Sequence, residues 1–252
     1  MSSKTRRATR AGAQDVILLA STIDMSNIFY EGIVQELHSR GWGIHVVSSP
    51  GPTSERLFRG VAQIHAVQME RGLSPLRDIK SLARWVKLLA RIRPQVLVIG
   101  TPKASMLGGL AARIMRIPHI VYVVHGLRAQ ETSGLLTVIL RIVERLTLHS
   151  AHRILAVSDS LRREVERVHP RFQNRIEVLG FGSINGVDLR RFSPANSAQQ
   201  TTARQRLGLP AESFVVGFVG RFSRDKGGDF LLNLMRDEAS QELGLHLMVV
   251  GD

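Results

Sequence analysis

A glycine-bounded turn near the end of the chain carries the side chains best suited to chemistry. An apolar, β-branched run predicts a buried strand over 214–219, and Gly220 ends that strand. Arg221 and Lys226 follow, and Gly227 comes directly before a helical pattern rich in leucine. Free backbone N–H groups, the helix dipole and two cations at one helix N-terminus suit a phosphate or diphosphate group. The turn therefore predicts an anion site at the carboxyl end of a parallel strand.

The same turn has a plainer interpretation, in which its cations are ordinary exposed loop residues. Arg224 and Asp225 lie between the two predicted ligands. An ion pair within the turn would use up part of the positive charge. The combination of a strand, a glycine break, two cations and paired glycines before a helix favours the phosphate site.

His125 is the second candidate for chemistry. It follows a strand that ends at Val124, and it precedes Gly126, which allows a ligand to approach the backbone closely. The alternative is a histidine whose hydrogen bonds are satisfied by its own loop. The other histidines show no metal-ligand spacing and the chain has no cysteine, so the sequence predicts no metal site.

Four loops follow predicted strands at the edge where open parallel sheets bind ligands, namely 21–28, 100–103, 125–128 and 220–228. None of them contains a G-x-G-x-x-G or a Walker-type phosphate loop. A dinucleotide oxidoreductase and a P-loop NTPase are therefore disfavoured.

Strand and helix patterns alternate along the chain, which predicts an α/β fold with a parallel, Rossmann-like sheet and helices on both faces. An incomplete second Rossmann-like β-α-β unit is expected after it. We expect a disordered basic tail over 1–14, a first domain over 15–190, a polar connection over 191–213 and the start of a second domain over 214–252. The predicted strands are 16–20, 44–48, 64–67, 96–99, 120–124, 154–157, 176–179, 214–219 and 245–250.

Positive charge dominates the composition. The net charge is +13, and ten Lys or Arg residues face a single acid, Asp78, between Arg71 and Arg116. An anionic partner is therefore expected, whether nucleic acid, membrane or phosphorylated substrate. The absence of cysteine makes the cytoplasm the simplest compartment, and no apolar run approaches the ~20 residues that span a bilayer.

A basic helix is predicted between Ser74 and Pro94. Its cations recur at intervals of three and four and share one face: Arg77, Lys80, Arg84, Lys87 and Arg91. Its predicted core stripe is Ile79, Leu82, Val86 and Leu89, with Trp85 and Ile92 at the margins. The cationic face is either simply solvated or attracted to anionic lipid headgroups at a membrane surface.

Several strings resemble family-4 glycosyltransferases of the GT-B fold. They are Val219-Gly-Arg-Phe-Ser-Arg-Asp-Lys-Gly227, Val249-Val-Gly-Asp252, Asn185-Gly-Val-Asp-Leu-Arg-Arg-Phe192, Val157-Ser-Asp-Ser160 and Tyr122-Val-Val-His-Gly-Leu-Arg128. The segment from Thr101 to Lys103, with Gly108 and Ala111-Ala112 after it, is similar to the branch that builds capsular or O-antigen polysaccharide on polyprenyl-diphosphate carriers.

This resemblance implies a retaining, metal-independent transferase without a cofactor. It would move a sugar from a nucleotide-sugar, expected to be UDP-linked, to a lipid-linked saccharide at the inner face of the cell membrane. Arg221 and Lys226, with Gly220 and Gly227, would hold the donor diphosphate. His125 would face the donor sugar. The acceptor side would include Ser21, Asp24 and Ser26, to which we add Lys103 from the position of its loop.

Two departures from the family pattern limit these expectations. The loop 21–27 lacks the glycine pair that is common there, so acceptor details do not transfer. The family's two glutamates separated by seven residues do not occur before position 252, so we expect a truncated chain that is inactive alone.

Two other functions stay open. One is a non-catalytic basic module that binds nucleic acid or an anionic membrane, and the other is a gene fragment without activity. Nucleic acid is disfavoured because aromatic residues make up only 5% of the chain and are not interleaved with the cations.

Overall fold

The computed structural model describes residues 15–70, 72, 74–127 and 134–251, which form two compact units. The first unit ends at Gly186 and the second begins at Val187. The predicted basic tail and Arg128 lie outside the described residues.

The first unit is built on a seven-stranded sheet in which all paired strands are parallel. The spatial order is β3-β2-β1-β4-β5-β6-β7. The strand bounds are β1 Val16–Ala20, β2 Gly43–Ser48, β3 Gln63–Ala66, β4 Val96–Ile99, β5 His119–Val124, β6 Arg153–Ala156 and β7 Ile176–Glu177.

Helices cover both faces of this sheet, as an open parallel sheet requires. Their bounds are α1 Glu31–Ser39, α2 Pro52–Phe58, α3 Pro75–Ile92, α4 Pro102–Ile114, α5 Leu135–Ser150 and α6 Asp159–Val168. One core lies on the α1 and α2 side and includes Val34 and Phe58. The larger core lies on the other side, where Trp85, Leu107 and Leu148 pack. The predicted fold class is confirmed.

The strand order reverses at the centre of the sheet. β1 pairs with β2 on one side and with β4 on the other, so the chain leaves these two central strands in opposite directions. The carboxyl ends of neighbouring strands at such a reversal enclose a crevice, which is where open α/β sheets bind ligands.

A 3-10 helix runs over Asp24–Tyr30 and continues directly into α1. Asp24, Asn27 and Tyr30 are its buried residues. They recur every three residues, which is the period of a 3-10 helix.

The predicted core stripe of α3 was wrong in part. Ser81, Trp85 and Leu89 are the buried positions, so Trp85 lies at the centre of the packed face and not at its margin. Ile79 was predicted in the core, but its side chain is 65% exposed. Spacings of four place these three buried residues on one face of the helix, and the five predicted cations are exposed on the remainder.

The helices and strands of the second unit are α7 Ser197–Arg206, β8 Val215–Val219, α8 Gly228–Arg236, α9 Glu238–Glu242 and β9 His246–Val250. β8 and β9 pair in parallel. The predicted β-α-β unit is therefore present. A capping box in which Asn196 and Gln199 exchange hydrogen bonds starts α7 within the stretch predicted as a polar connection.

Candidate functional site

Two threonines join the loops at the central crevice. The backbone N–H of Thr22, just after β1, donates to Oγ1 of Thr101 after β4 at 2.6 Å. The two hydroxyl oxygens lie 2.8 Å apart, and the N–H of Ala104 in α4 donates to Oγ1 of Thr22. The last of these bonds satisfies one free donor at the start of α4, and together they join the loops that follow β1 and β4.

His125 lies beside this crevice at the end of β5. A Cβ atom added to Gly100 would lie 2.9 Å from Nε2 of His125 and 3.4 Å from the hydroxyl oxygen of Tyr30. Only glycine therefore leaves room for the imidazole at its observed position. Tyr30 is fixed in turn, because its hydroxyl donates to the carbonyl of Ala20 at 2.7 Å.

A cavity of about 310 Å³ opens at this point. Its walls include Phe29, Gly100, Thr101, Pro102, Tyr122 and His125. The ring centroids of Phe29 and His125 are 6.3 Å apart and their planes are inclined by 28°. The cavity is apolar on most sides and presents one imidazole, an arrangement that suits a small ligand with a few oriented polar groups.

The ionisation of His125 follows from this environment. Desolvation by the cavity wall lowers the pKa of His125 below its ordinary value. The imidazole is therefore neutral at pH 7, and it can donate one hydrogen bond and accept another.

Of the predicted acceptor-side residues, Ser21 and Asp24 are buried and hydrogen-bonded within the protein. Asp24 accepts from the N–H of Thr53 at 2.5 Å and from the N–H of Ser54 at 2.9 Å, so it caps α2 from a distant loop. Burial raises the pKa of Asp24, but the hydrogen bonds from Ser54 and Thr53 outweigh burial and lower it overall. The Ser21 hydroxyl bonds to Asn27.

Ser26 differs from these two, because it is only partly buried. Its backbone N–H donates to the carbonyl of Ile23. Of the three predicted positions in this loop, it has the most solvent-accessible side chain.

Lys103 is placed in a structural ion pair. Its ammonium lies 2.7 Å and 2.8 Å from the two carboxylate oxygens of Asp78, and its side chain is only 7% exposed. The pair joins α4 to α3 beneath the surface. Lys103 therefore supports the crevice from behind, and its charge is already balanced by Asp78.

In the second unit, the predicted phosphate turn lies directly before α8. The backbone N–H groups of Lys226, Gly227 and Gly228 were predicted to be free, but they donate to the carbonyls of Ser223 and Arg224 within the turn. Gly227 has a φ of +87°, in the left-handed region that favours glycine, and it precedes α8. Arg221 and Lys226 are both exposed. Asp225 lies 3.6 Å from Arg221, and among the described residues Lys226 has no carboxylate partner. An ion pair within the turn, which the plainer interpretation allowed for, is therefore present between Arg221 and Asp225, while Arg224 pairs with Asp229.

Three contributors to the crevice were missed in the sequence: Thr101, Tyr30 and Phe29. Thr101 lies in a loop already identified, at the N-cap position of α4, which is a recognisable signal. The sequence signal at Tyr30 is weaker: a tyrosine within an apolar pattern needs a hydrogen-bond partner for its hydroxyl. No local signal marks Phe29, because its contact with His125 depends on the order of the strands.

No three His, Asp or Glu side chains of the described ranges lie close enough together to hold a metal ion. Within the same ranges, no helix combines the length and the apolar character needed to cross a bilayer.

A parallel sheet of this order with a crevice at its reversal point defines a Rossmann-like unit of the GT-B class. The profile of the family described as Glycosyltransferase Family 4 matches residues 28–191. The chain belongs to this family.

Curated relatives agree with this assignment. The chain is 30% identical over 230 residues to the capsular polysaccharide biosynthesis glycosyltransferase CapM of Staphylococcus aureus. The matched region covers 91% of this chain and 59% of CapM. It is 26% identical over 177 residues to the UDP-Gal:alpha-D-GlcNAc-diphosphoundecaprenol alpha-1,3-galactosyltransferase of Escherichia coli. That match covers 70% of this chain and 44% of the relative. The chain thus spans about half the length of these relatives.

Solved structures show the same fold. HepE of Anabaena in complex with UDP and glucose superposes with a TM-score of 0.68 at 18% identity, covering 93% of this chain and 69% of that one. A UDP-GlcNAc 2-epimerase of Methanocaldococcus jannaschii superposes with a TM-score of 0.58 at 16% sequence identity, and the match covers 94% of this chain and 65% of that one. The fold alone therefore does not separate sugar transfer from epimerisation.

Proposed function

We propose that this chain is part of a glycosyltransferase that moves a sugar from a nucleotide-sugar to a lipid-linked saccharide in cell-surface polysaccharide biosynthesis. Membership of family 4, combined with a crevice that presents His125 at the sheet reversal, is the observation that carries the proposal. CapM is named for capsular polysaccharide, and the Escherichia coli relative for a diphosphoundecaprenol acceptor. HepE was solved with UDP and glucose, which supports a UDP-linked donor.

In the proposed reaction, an acceptor hydroxyl oxygen bonds to the anomeric carbon while the bond from that carbon to the diphosphate oxygen breaks. The acceptor loses its proton and the nucleoside diphosphate leaves. Negative charge grows on the leaving group, so Arg221 and Lys226 would stabilise the transition state more than the ground state. We assign His125 to the donor sugar, because its neutral imidazole can hydrogen-bond to sugar hydroxyls. Retention of configuration and independence of metal are proposed from the family resemblance.

The donor assignment is tested by titrating UDP into the chain by calorimetry. Arg221→Ala or Lys226→Ala removes a charge-assisted hydrogen bond of about 1.5–3 kcal/mol, so each should weaken UDP binding by roughly tenfold or more. Arg236→Ala is the matched control, because it removes an exposed arginine from the far end of α8. Unchanged UDP affinity in both turn variants would contradict the assignment.

We also propose that the protein attaches to the inner face of the cytoplasmic membrane through α3. The cations Arg77, Lys80, Arg84, Lys87 and Arg91 are all exposed on this helix. Two apolar side chains accompany them in its first turns, Leu76 at 79% and Ile79 at 65% exposure. Exposed apolar residues among cations of one sign are typical of helices that lie on anionic bilayers. This surface supports a membrane partner over nucleic acid, since the helix presents no exposed aromatic ring for base stacking.

A further inference from the structure

A second cavity in the first unit lies between α5 and the end of α6. Its volume is about 560 Å³. Aliphatic side chains form part of its wall, and the ionisable residues on it, within the described ranges, are Arg141, Glu144, Arg145, Arg167 and His169. Leu127 belongs to the wall of this cavity and also to that of the His125 cavity, so the two are neighbours.

Positive charge prevails along this wall. Arg141 and Arg145 are one helical turn apart on α5, where two like charges repel each other. Neither has a carboxylate partner among the described residues. Arg167, at the end of α6, pairs with Glu164. Among the described residues of the wall, Glu144 is the single acid, against the three guanidinium groups of Arg141, Arg145 and Arg167.

A buried imidazole, that of His169, lies on the same wall as these arginines. His169 is only 8% exposed, and in the described part of the chain its Nε2 has no hydrogen-bond partner. The nearest carboxylate oxygen, on Glu144, is 3.7 Å away, which is too far for a hydrogen bond. Burial lowers the pKa of His169, and Arg145 and Arg141 lower it further against the opposing effect of Glu144. A buried polar nitrogen whose nearest acceptor is beyond hydrogen-bond distance is costly, and a ligand in the cavity would supply a closer one.

We propose that this cavity is a binding site for a phosphate-class anion, held by Arg141 and Arg145 with Arg167 and His169 beside them. Planar guanidinium groups pair with phosphate oxygens in a bidentate manner, and a neutral imidazole contributes one further N–H. Inorganic phosphate and the diphosphate end of a lipid-linked substrate share this chemistry. The site goes beyond the proposed function, because binding an anion here does not depend on sugar transfer or on the Arg221 and Lys226 turn.

The test uses the chain with Arg221→Ala and Lys226→Ala, so that the turn in the second unit cannot bind the probe. Inorganic diphosphate and geranyl diphosphate are titrated separately by calorimetry. We expect saturable binding at one site, and a Kd at least tenfold higher after Arg141→Gln with Arg145→Gln. Arg163→Gln with Arg171→Gln is the control, because it removes the same charge from exposed positions outside the cavity wall.

A preference for geranyl diphosphate assigns the site to a lipid-linked substrate, and equal affinity for both probes assigns it to the free anion. His169→Asn should also weaken binding while near-ultraviolet circular dichroism stays native. The proposal is overturned if the parent chain shows no saturable binding, or if the Arg141 and Arg145 variant binds as tightly as its control. Neither result bears on UDP affinity, which is measured separately with the turn intact.

Discussion

At the scale of single residues, the position of His125 depends on a residue without a side chain. Gly100 directly follows β4, His125 directly follows the neighbouring strand β5, and any Cβ at Gly100 would collide with Nε2 of His125. The imidazole is thus held against the backbone on one side and faces Phe29 on the other. The contacts with Gly100 and Phe29 therefore position the His125 imidazole, our candidate for binding the sugar, without an ion pair.

The pH dependence of His125 provides a test at this scale. Its pKa is depressed by burial, so an NMR titration of its ring should have a midpoint below the ~6.5 of an exposed histidine. Phe29→Ala opens the ring to water and should raise the midpoint toward that value. A midpoint at or above 6.5 in the parent chain would show that desolvation does not dominate.

The same shift has a consequence for stability. Because the folded state binds fewer protons at His125 than the unfolded chain does, the free energy of unfolding falls as the pH drops below about 6.5. His125→Gln removes this contribution. Its loss of stability between pH 7 and pH 5, measured by chemical denaturation, should be smaller than that of the parent.

At the scale of elements, one buried and one partly buried carboxylate hold the helices around the crevice. Asp24 caps α2 from the 3-10 helix, and Asp78 joins α3 to α4 through Lys103. Both contacts tie together segments that are far apart in sequence. The residues predicted on the acceptor side therefore include two whose charges shape the crevice wall.

The Lys103 pair yields a prediction about stability. Lys103→Met leaves the Asp78 carboxylate without its partner, and breaking a buried pair in this way costs about 3–5 kcal/mol. Urea denaturation at pH 7 measures the loss. Arg153→Met is the matched control, because Arg153 and Glu177 form an exposed pair, with side chains 67% and 48% accessible, and such pairs contribute about 1 kcal/mol or less. Equal losses in both variants would show that Lys103 is not needed to balance Asp78.

At the scale of the whole molecule, the positive charge has several separate locations. The exposed face of α3 carries five cations, the α5 and α6 cavity three, and the turn before α8 a further group. The net charge of +13 is therefore divided among surfaces that could meet different anions. A headgroup layer, a phosphate-class anion and a nucleoside diphosphate are the three that we propose.

Vesicle sedimentation separates the α3 surface from charge in general. Lys80→Gln with Arg84→Gln and Lys87→Gln should weaken binding to anionic vesicles at least about tenfold, since each basic residue near such a surface contributes ~1 kcal/mol. Arg190→Gln with Arg206→Gln and Arg236→Gln lowers the net charge equally in the second unit. Similar losses in both triple variants, or equal binding to neutral vesicles, would contradict membrane docking through α3.

The sequence by itself determined the alternation of elements. Strands β1 and β4 have the predicted bounds, because short apolar runs are bounded there by polar residues, glycine or proline. It also placed Gly227 directly before a helix, which is where α8 begins. Such signals are local in the sequence, so they can be interpreted without knowing which residues are neighbours in space.

The tertiary structure alone decided which of these elements meet. The partners of Lys103, Asp24 and His125 lie on segments brought together by the order β3-β2-β1-β4-β5. A lysine in a loop at the ligand-binding edge has the same local pattern whether it faces solvent or a buried carboxylate. Periodicity records which face of an element is apolar, but the partner of a polar side chain depends on how the strands are arranged.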